Sequence, residues 1–286
     1  MTRSFRHTAR LKFKRAVAEV VHDANVQTRL EQEVRHDQVL AELSATNGEL
    51  ARVLSELALA RTQIATVGER LAELEERERR DITHALDVRA AADTAAFVLD
   101  RMPTAEVRWD PHETLRYALD LVRGDGLALE FGVASGTTLT IVAEMLRPAG
   151  HDVFGFDVFT GLPEAWRTGF PAGEFARESV PAVPGAQIVE GLFEDTLPGF
   201  LASHPGPIAF AHLDADLYSS TATVLGLIGN RLRPGTVLVF DEFFNYPGWQ
   251  QHEYRAWTEF VDRTGVRFEY LAYTGNHEQV VVRVTG

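Results

Sequence analysis

Two hydrophobic patterns divide this chain, and they predict two kinds of structure. From about residue 16 to 100 there is no proline, and Ala, Glu, Leu and Arg, all strong helix formers, dominate. Within that stretch apolar residues recur every seven positions: Leu43, Leu50, Leu57, Ile64 and Leu71. Thr46, Val53, Ala60, Val67 and Leu74 follow each by three, and Glu49, Glu56, Gln63 and Arg70 fall at g-type positions. This a/d seam predicts a coiled coil and homo-oligomer formation through residues 43–74. Thr46 and Ala60 soften the seam and Gly68 softens the helix, so a helix packed on its own domain is the competing expectation.

Met102-Pro103-Thr104 ends the helical run and marks the expected domain boundary. Beyond it, apolar runs alternate with helical stretches. Leu127–Phe131, Asp152–Phe156, Ala186–Val189, Ile208–Leu213 and Thr236–Phe240 read as strands of a parallel sheet with crossover helices. Arg267–Tyr273 and Gln279–Val284, joined by a short polar loop, read as an antiparallel hairpin added to the sheet edge. Residues 159–185 are rich in Pro, Gly and aromatics without periodicity; a loop that long inside a compact domain reads as a substrate lid. The expected organisation is a basic arm (1–15), a helical coiled-coil segment (16–100) and an α/β domain (105–286). The α/β domain is expected to be Rossmann-like: a doubly wound, seven-stranded sheet ending in that hairpin.

Composition narrows the function classes. With 0 cysteines there is no disulfide framework, thiolate metal site or cysteine nucleophile. A net charge of -13 disfavours nucleic-acid binding. Arg3, Arg6, Arg10, Lys12, Lys14 and Arg15 precede any acid. Such an arm could touch an anionic surface, although a solvated terminus is the plainer reading. No apolar run reaches the roughly 20 residues of a membrane span, and no signal-peptide core follows the basic start. A cytoplasmic protein without a transmembrane segment is expected.

Three strand ends carry the candidate chemistry. LALEFGVASGTT, residues 127–138, is a strand that ends on Glu130 and turns through Gly132 and Gly136 into a helix. Such a unit sets backbone N–H groups against a ligand. Dinucleotide sites use G-x-G-x-x-G, whereas here the order is Glu-x-Gly-x-x-x-Gly. A carboxylate there suits a cationic ligand, which favours S-adenosylmethionine over NAD. Asp157, some 20 residues on, stands where an acid bonds ribose hydroxyls in doubly wound folds. Ser135 and Phe159 flank these residues and join them as candidate cofactor contacts.

Asp214 and Asp216 end the fourth of these strands, and Asp241-Glu242 end the fifth. If those strands are neighbours, Asp214, Asp241 and Glu242 converge, and crowded carboxylates either protonate or bind a cation. Hard oxygen ligands suit Mg²⁺, Mn²⁺ or Ca²⁺. The competing reading is helix-capping acids. His212 shares a strand face with Asp214 and reads as a packed structural histidine. His252 and His277 lie in loops within possible reach of the site. The aromatics after the fifth strand, Phe243, Phe244, Tyr246, Trp249 and Trp257, divide between core packing and, in the FNYPGW loop, gripping a sugar or aromatic substrate.

With these residues in view, residues 105–286 resemble class I S-adenosylmethionine-dependent methyltransferases. More narrowly they resemble the macrocin and mycinamicin sugar O-methyltransferase family, which includes the novobiocin sugar methyltransferase. The strings that carry the resemblance are LEFGVASG, FDVFTGLPEAW, EGLFEDTLP, LDADLYSST and FDEF. It implies metal-dependent methyl transfer to a sugar hydroxyl of a small-molecule or glycan acceptor, with Asp214, Asp241 and Glu242 as metal ligands, most simply for Mg²⁺. It also implies Asp216 as the general base. The chain departs at one point: Asp-Glu stands where those enzymes carry two aspartates, and Glu reaches one methylene further. The coiled-coil segment lies outside the family's pattern. A metal-independent methyltransferase, and a scaffold whose domain holds the cofactor without turnover, are the rival readings.

Overall fold

A computed structural model of the chain describes residues 2–286, with side chains from Arg10 onward. The side chains of Arg3 and Arg6 in the expected basic arm lie outside the described residues. The chain forms two compact units, Met1–Arg80 and Asp81–Gly286. The first is a single helix, α1 (Thr2–Arg80). The apolar seam residues Leu43, Leu50, Leu57, Ile64 and Leu71 are all exposed. No helix among the described residues is long and apolar enough to cross a membrane.

The second unit opens with α2 (Ile82–Arg101). Asp81 separates the helices. Its backbone is extended, and its side chain accepts the backbone N–H groups of Thr83 and His84 at 2.9 and 3.1 Å, an N-cap. The division between units therefore falls well before Met102-Pro103-Thr104. The physical reason is the apolar face of α2. Ala90 is buried, and Phe97 packs edge-on against Trp249, Tyr254 and Tyr270 with centroids 5.4–5.9 Å apart.

After α2 come β1 (Glu106–Arg108), α3 (Pro111–Asp120), β2 (Leu127–Phe131), α4 (Thr137–Leu146), β3 (Val153–Asp157) and β4 (Ala186–Glu190). Then follow α5 (Phe193–Ser203), β5 (Ile208–Leu213), α6 (Tyr218–Ile228), β6 (Val237–Phe240), α7 (Glu253–Thr264), β7 (Phe268–Thr274) and β8 (Val280–Val284). One sheet of 8 strands runs β1-β7-β8-β6-β5-β2-β3-β4. Only β8 is antiparallel to its neighbours. The seven expected strands are present, with ends shifted by a residue or so. Two details differ from expectation. The terminal hairpin is not the edge, because β1 adds a parallel strand outside β7. At three residues, β1 is too short to show an alternating pattern.

β2, β5 and β6 are buried throughout and read as nearly continuous apolar runs, as central parallel strands do. The ladder continues one residue past the strands. Gly132 N–H donates to Phe156 O, Asp214 N–H to Phe131 O and Asp241 N–H to Leu213 O, at 2.8–2.9 Å. Asp157, Gly132, Asp214 and Asp241 thus line up along the carboxyl edge of four adjacent strands.

Candidate active site

A cavity of about 590 Å³ opens along that edge. One wall is the β2–α4 turn with Asp157; the other is Asp214, Asp216 and Glu242; the loop after β3 covers it with Trp166 and Arg167.

The turn is shaped by a close approach. Gly132 has φ +96°, and a Cβ on it would fall 1.7 Å from the Asp214 carbonyl oxygen, so no other residue fits. Gly136, also at positive φ, precedes α4 and closes the turn by donating its N–H to Val133 O at 2.7 Å. Asp157 fastens the turn to β3. Its Oδ2 accepts the N–H groups of Val133 and Ala134, both at 2.8 Å, and its Oδ1 accepts that of Phe159 at 2.7 Å.

The candidate cofactor residues therefore separate. Gly132 and Asp157 line the cavity. Gly136 and Phe159 do not line it, and Ser135 is exposed, bonded to Thr137 at 2.8 Å. Glu130 does not line the cavity. It is fully buried, with Oε1 accepting from Thr138 Oγ1 and Oε2 paired with His212 Nδ1, both at 3.0 Å. Glu130 therefore faces His212 inside the sheet and not a cationic ligand in this cavity, contrary to expectation.

The acidic wall gathers more charge than partners. Ligand atoms of His212, Asp214 and Asp241 lie within 4.8 Å of one another. The expected trio was Asp214, Asp241 and Glu242; His212 takes the place of Glu242 in the tight group, while Glu242 lines the same cavity. Asp241 is held from two sides: His212 Nε2 lies 3.4 Å from Oδ1, and Gln279 Nε2 donates to Oδ2 at 3.2 Å. The Glu242 N–H donates to Glu253 Oε2 at 3.0 Å, and Glu253, the first residue of α7, is fully buried.

Burial pushes the Asp214 carboxyl well up, and the Asp241 charge adds to it. Burial, then Asp241, Asp216 and Asp214, do the same to Glu242. Asp216 rises to about 7 through burial and the Asp241 charge, with Arg167 opposing. Burial also opposes ionising Asp241, but His212 outweighs it and holds that carboxyl below its usual value. For His212 burial disfavours the charged ring, yet Asp241 and Glu130 together push it well above its usual value. Asp216 also carries φ +58°. A divalent cation fits this donor set. The oxygens are hard, their charges repel, and Glu242 Oε2 and His212 Nε2 are buried without a hydrogen-bond partner.

Over the acids lies Arg167. Its guanidinium sits 3.9 Å from the Trp166 ring and 4.4 Å from that of Tyr246, and Nη1 bonds both Glu278 oxygens at 3.0 and 3.3 Å. The loop folds onto itself: Gly173 N–H donates to Leu162 O at 2.8 Å and Leu162 N–H to Glu174 O at 2.9 Å. His252 and His277 do not line the cavity. The sequence reading missed Arg167, Glu253, Glu278 and Gln279, and took His212 as structural. The available signal for His212 was its place two residues before Asp214 on one strand face.

Residues 129–243 match a family described as a methyltransferase domain. All five strings behind the resemblance lie within the matched span. A curated relative from Streptomyces olivaceus is an 8-demethyl-8-(2,3-dimethoxy-alpha-L-rhamnosyl)-tetracenomycin-C 4'-O-methyltransferase. It is 29% identical over 157 residues, covering 46% of this chain. The match spans 59% of that protein's length. Among solved structures, the calicheamicin methyltransferase CalS11 is 25% identical with a TM-score of 0.49, over 72% of this chain and 92% of that one. The O-methyltransferase NovP is 23% identical with a TM-score of 0.46, over 61% and 79%.

Proposed function

We propose that this chain is an S-adenosylmethionine-dependent O-methyltransferase acting on a sugar hydroxyl of a glycosylated small molecule or glycan. The observation that carries this reading is the single cavity that holds the Gly132–Asp157 turn on one wall and Asp214, Asp216 and Glu242 on the other. The domain match and the rhamnosyl O-methyltransferase relative support it.

In this reading the turn holds the methyl donor and the aromatic-lined loop holds the acceptor. Asp216 accepts the hydroxyl proton on a carboxylate oxygen. The oxygen then forms a bond to the methyl carbon as the sulfur–methyl bond breaks, leaving the neutral thioether. Much of the acceleration comes from fixing the two substrates in line. Held by Asp214, Asp241 and Glu242, with His212 beside them, a Mg²⁺ ion would lower the pKa of the acceptor hydroxyl.

The test is donor turnover by the purified chain over a panel of glycosylated acceptors. Asp216→Asn should lower kcat about 10²- to 10⁴-fold while S-adenosylhomocysteine still binds. A metal-independent variant of the reading draws on Asp241, whose two oxygens already have protein partners. Turnover in EDTA equal to that with Mg²⁺ would establish it. Self-association through the exposed seam of α1 belongs to the same proposal.

A further inference from the structure

We infer that Glu130 is a positioning residue that holds His212 as a nitrogen ligand facing the acidic wall. This rests on the metal-assisted reading above and adds to it a ligand and its support.

The pair is built by the sheet. β2 and β5 are parallel neighbours, and Glu130 and His212 are direct register partners. They interrupt two otherwise apolar strands, and their side chains are 0% and 1% exposed. Apolar side chains of similar volume in place of a buried ionisable pair often leave stability unchanged or raise it, so packing gives no reason for the pair.

Its geometry does. Thr138 Oγ1 donates to Glu130 Oε1, so that carboxylate cannot swing away from the imidazole. Glu130 Oε2 then accepts a hydrogen bond from His212 Nδ1–H at 3.0 Å. That fixes the ring plane and, once a metal displaces the second ring proton, leaves the Nε2 lone pair on the far side. Nε2 is buried without a hydrogen-bond partner, 3.4 Å from Asp241 Oδ1, in one group with Asp214. A ring nitrogen and a carboxylate oxygen this close share either a proton or a metal cation, and Asp214 in the same group supplies the further oxygen that a metal would use. Metal-binding histidines almost always donate their other ring N–H to a carboxylate or carbonyl, the arrangement Glu130 supplies. The residue at the strand end therefore acts on the acidic wall rather than on the methyl donor.

The experiment loads the full chain with Mn²⁺ and records electron spin-echo modulation, with calorimetry of Mn²⁺ and of S-adenosylhomocysteine in parallel. A ¹⁴N coupling of a coordinated imidazole is expected, and His212→Gln should remove it. Glu130→Gln should weaken Mn²⁺ binding roughly 10- to 100-fold and leave S-adenosylhomocysteine affinity within about twofold. Should that variant fail to fold, Thr138→Val loosens Glu130 alone and should weaken Mn²⁺ in the same direction. Bound Mn²⁺ without ¹⁴N coupling overturns the inference and leaves His212 an ion-pair partner of Asp241. Absence of Mn²⁺ binding overturns it together with the metal. Methyl transfer in that case would still stand on the turnover assay.

Discussion

Asp157 and Asp214 stand at strand ends on either side of β2, and their surroundings are opposites. Asp157 accepts two backbone N–H groups from the turn it fastens and a third from Phe159 just after β3, so its carboxylate is answered by the fold itself. Asp214 offers its carboxylate to a group containing another carboxylate and an imidazole, with Asp216 and Glu242 lining the same wall. The turn end of the cavity, where the proposed reading puts the methyl donor, is electrostatically complete without a ligand; the acidic wall, its proposed acceptor end, is complete only with a cation or bound protons. Preorganisation at one end and incompleteness at the other is a division of labour that a transferase needs.

The contrast can be broken most severely at the strut between the two ends. Gly132→Ala would drive a Cβ into the Asp214 carbonyl at an unfavourable φ, and should destabilise the domain by more than about 3 kcal/mol in urea unfolding. S-adenosylhomocysteine binding and turnover should be lost together.

A sharper comparison swaps each acid for its amide in the metal-free protein. Asp157→Asn should lower stability by about 1–3 kcal/mol, because an amide cannot accept all three N–H groups. Asp214→Asn removes one of several mutually repelling charges and should raise stability by on the order of 1 kcal/mol at neutral pH. It should nonetheless abolish methyl transfer and spare S-adenosylhomocysteine binding. Equal signs in the two unfolding curves would refute the contrast.

Arg167→Ala removes the cation stacked between Trp166 and Tyr246, and should raise the acceptor KM roughly tenfold with little change for the methyl donor. Smallest of all for the domain is a change on α1. Leu50→Lys with Leu57→Lys should shift sedimentation of the full chain to the monomer while altering domain stability by no more than about 0.5 kcal/mol.

Much of the α/β domain was legible because apolar runs alternate with helical periods, and the strand-end rule pointed to the sheet edge where Asp214 and Glu242 line the cavity and Asp214 and Asp241 fall in one tight group with His212. What was not legible has physical reasons. A central strand buried on both faces has no polar side to reveal orientation, so Glu130 read as a residue facing a ligand. The break at Asp81 sits in an unbroken helical composition and depends on one side chain capping two N–H groups. Arg167, Glu253 and Gln279 reach the site from loop and element starts, where no periodicity marks them.

The left-handed backbone of Asp216 has a consequence for how this position can change over evolutionary time. Among residues with a Cβ, Asn, Asp and His visit that conformation several-fold more often than the rest, and glycine does so freely. A search through substitutions at this site therefore meets a narrow set of affordable neighbours, of which aspartate is the sole acid. Glutamate, its nearest chemical equivalent, carries a main-chain strain there that aspartate largely escapes. The fold thus restricts which proton acceptor can arise at this point, and a lineage that lost the acid would drift first to Asn or Gly.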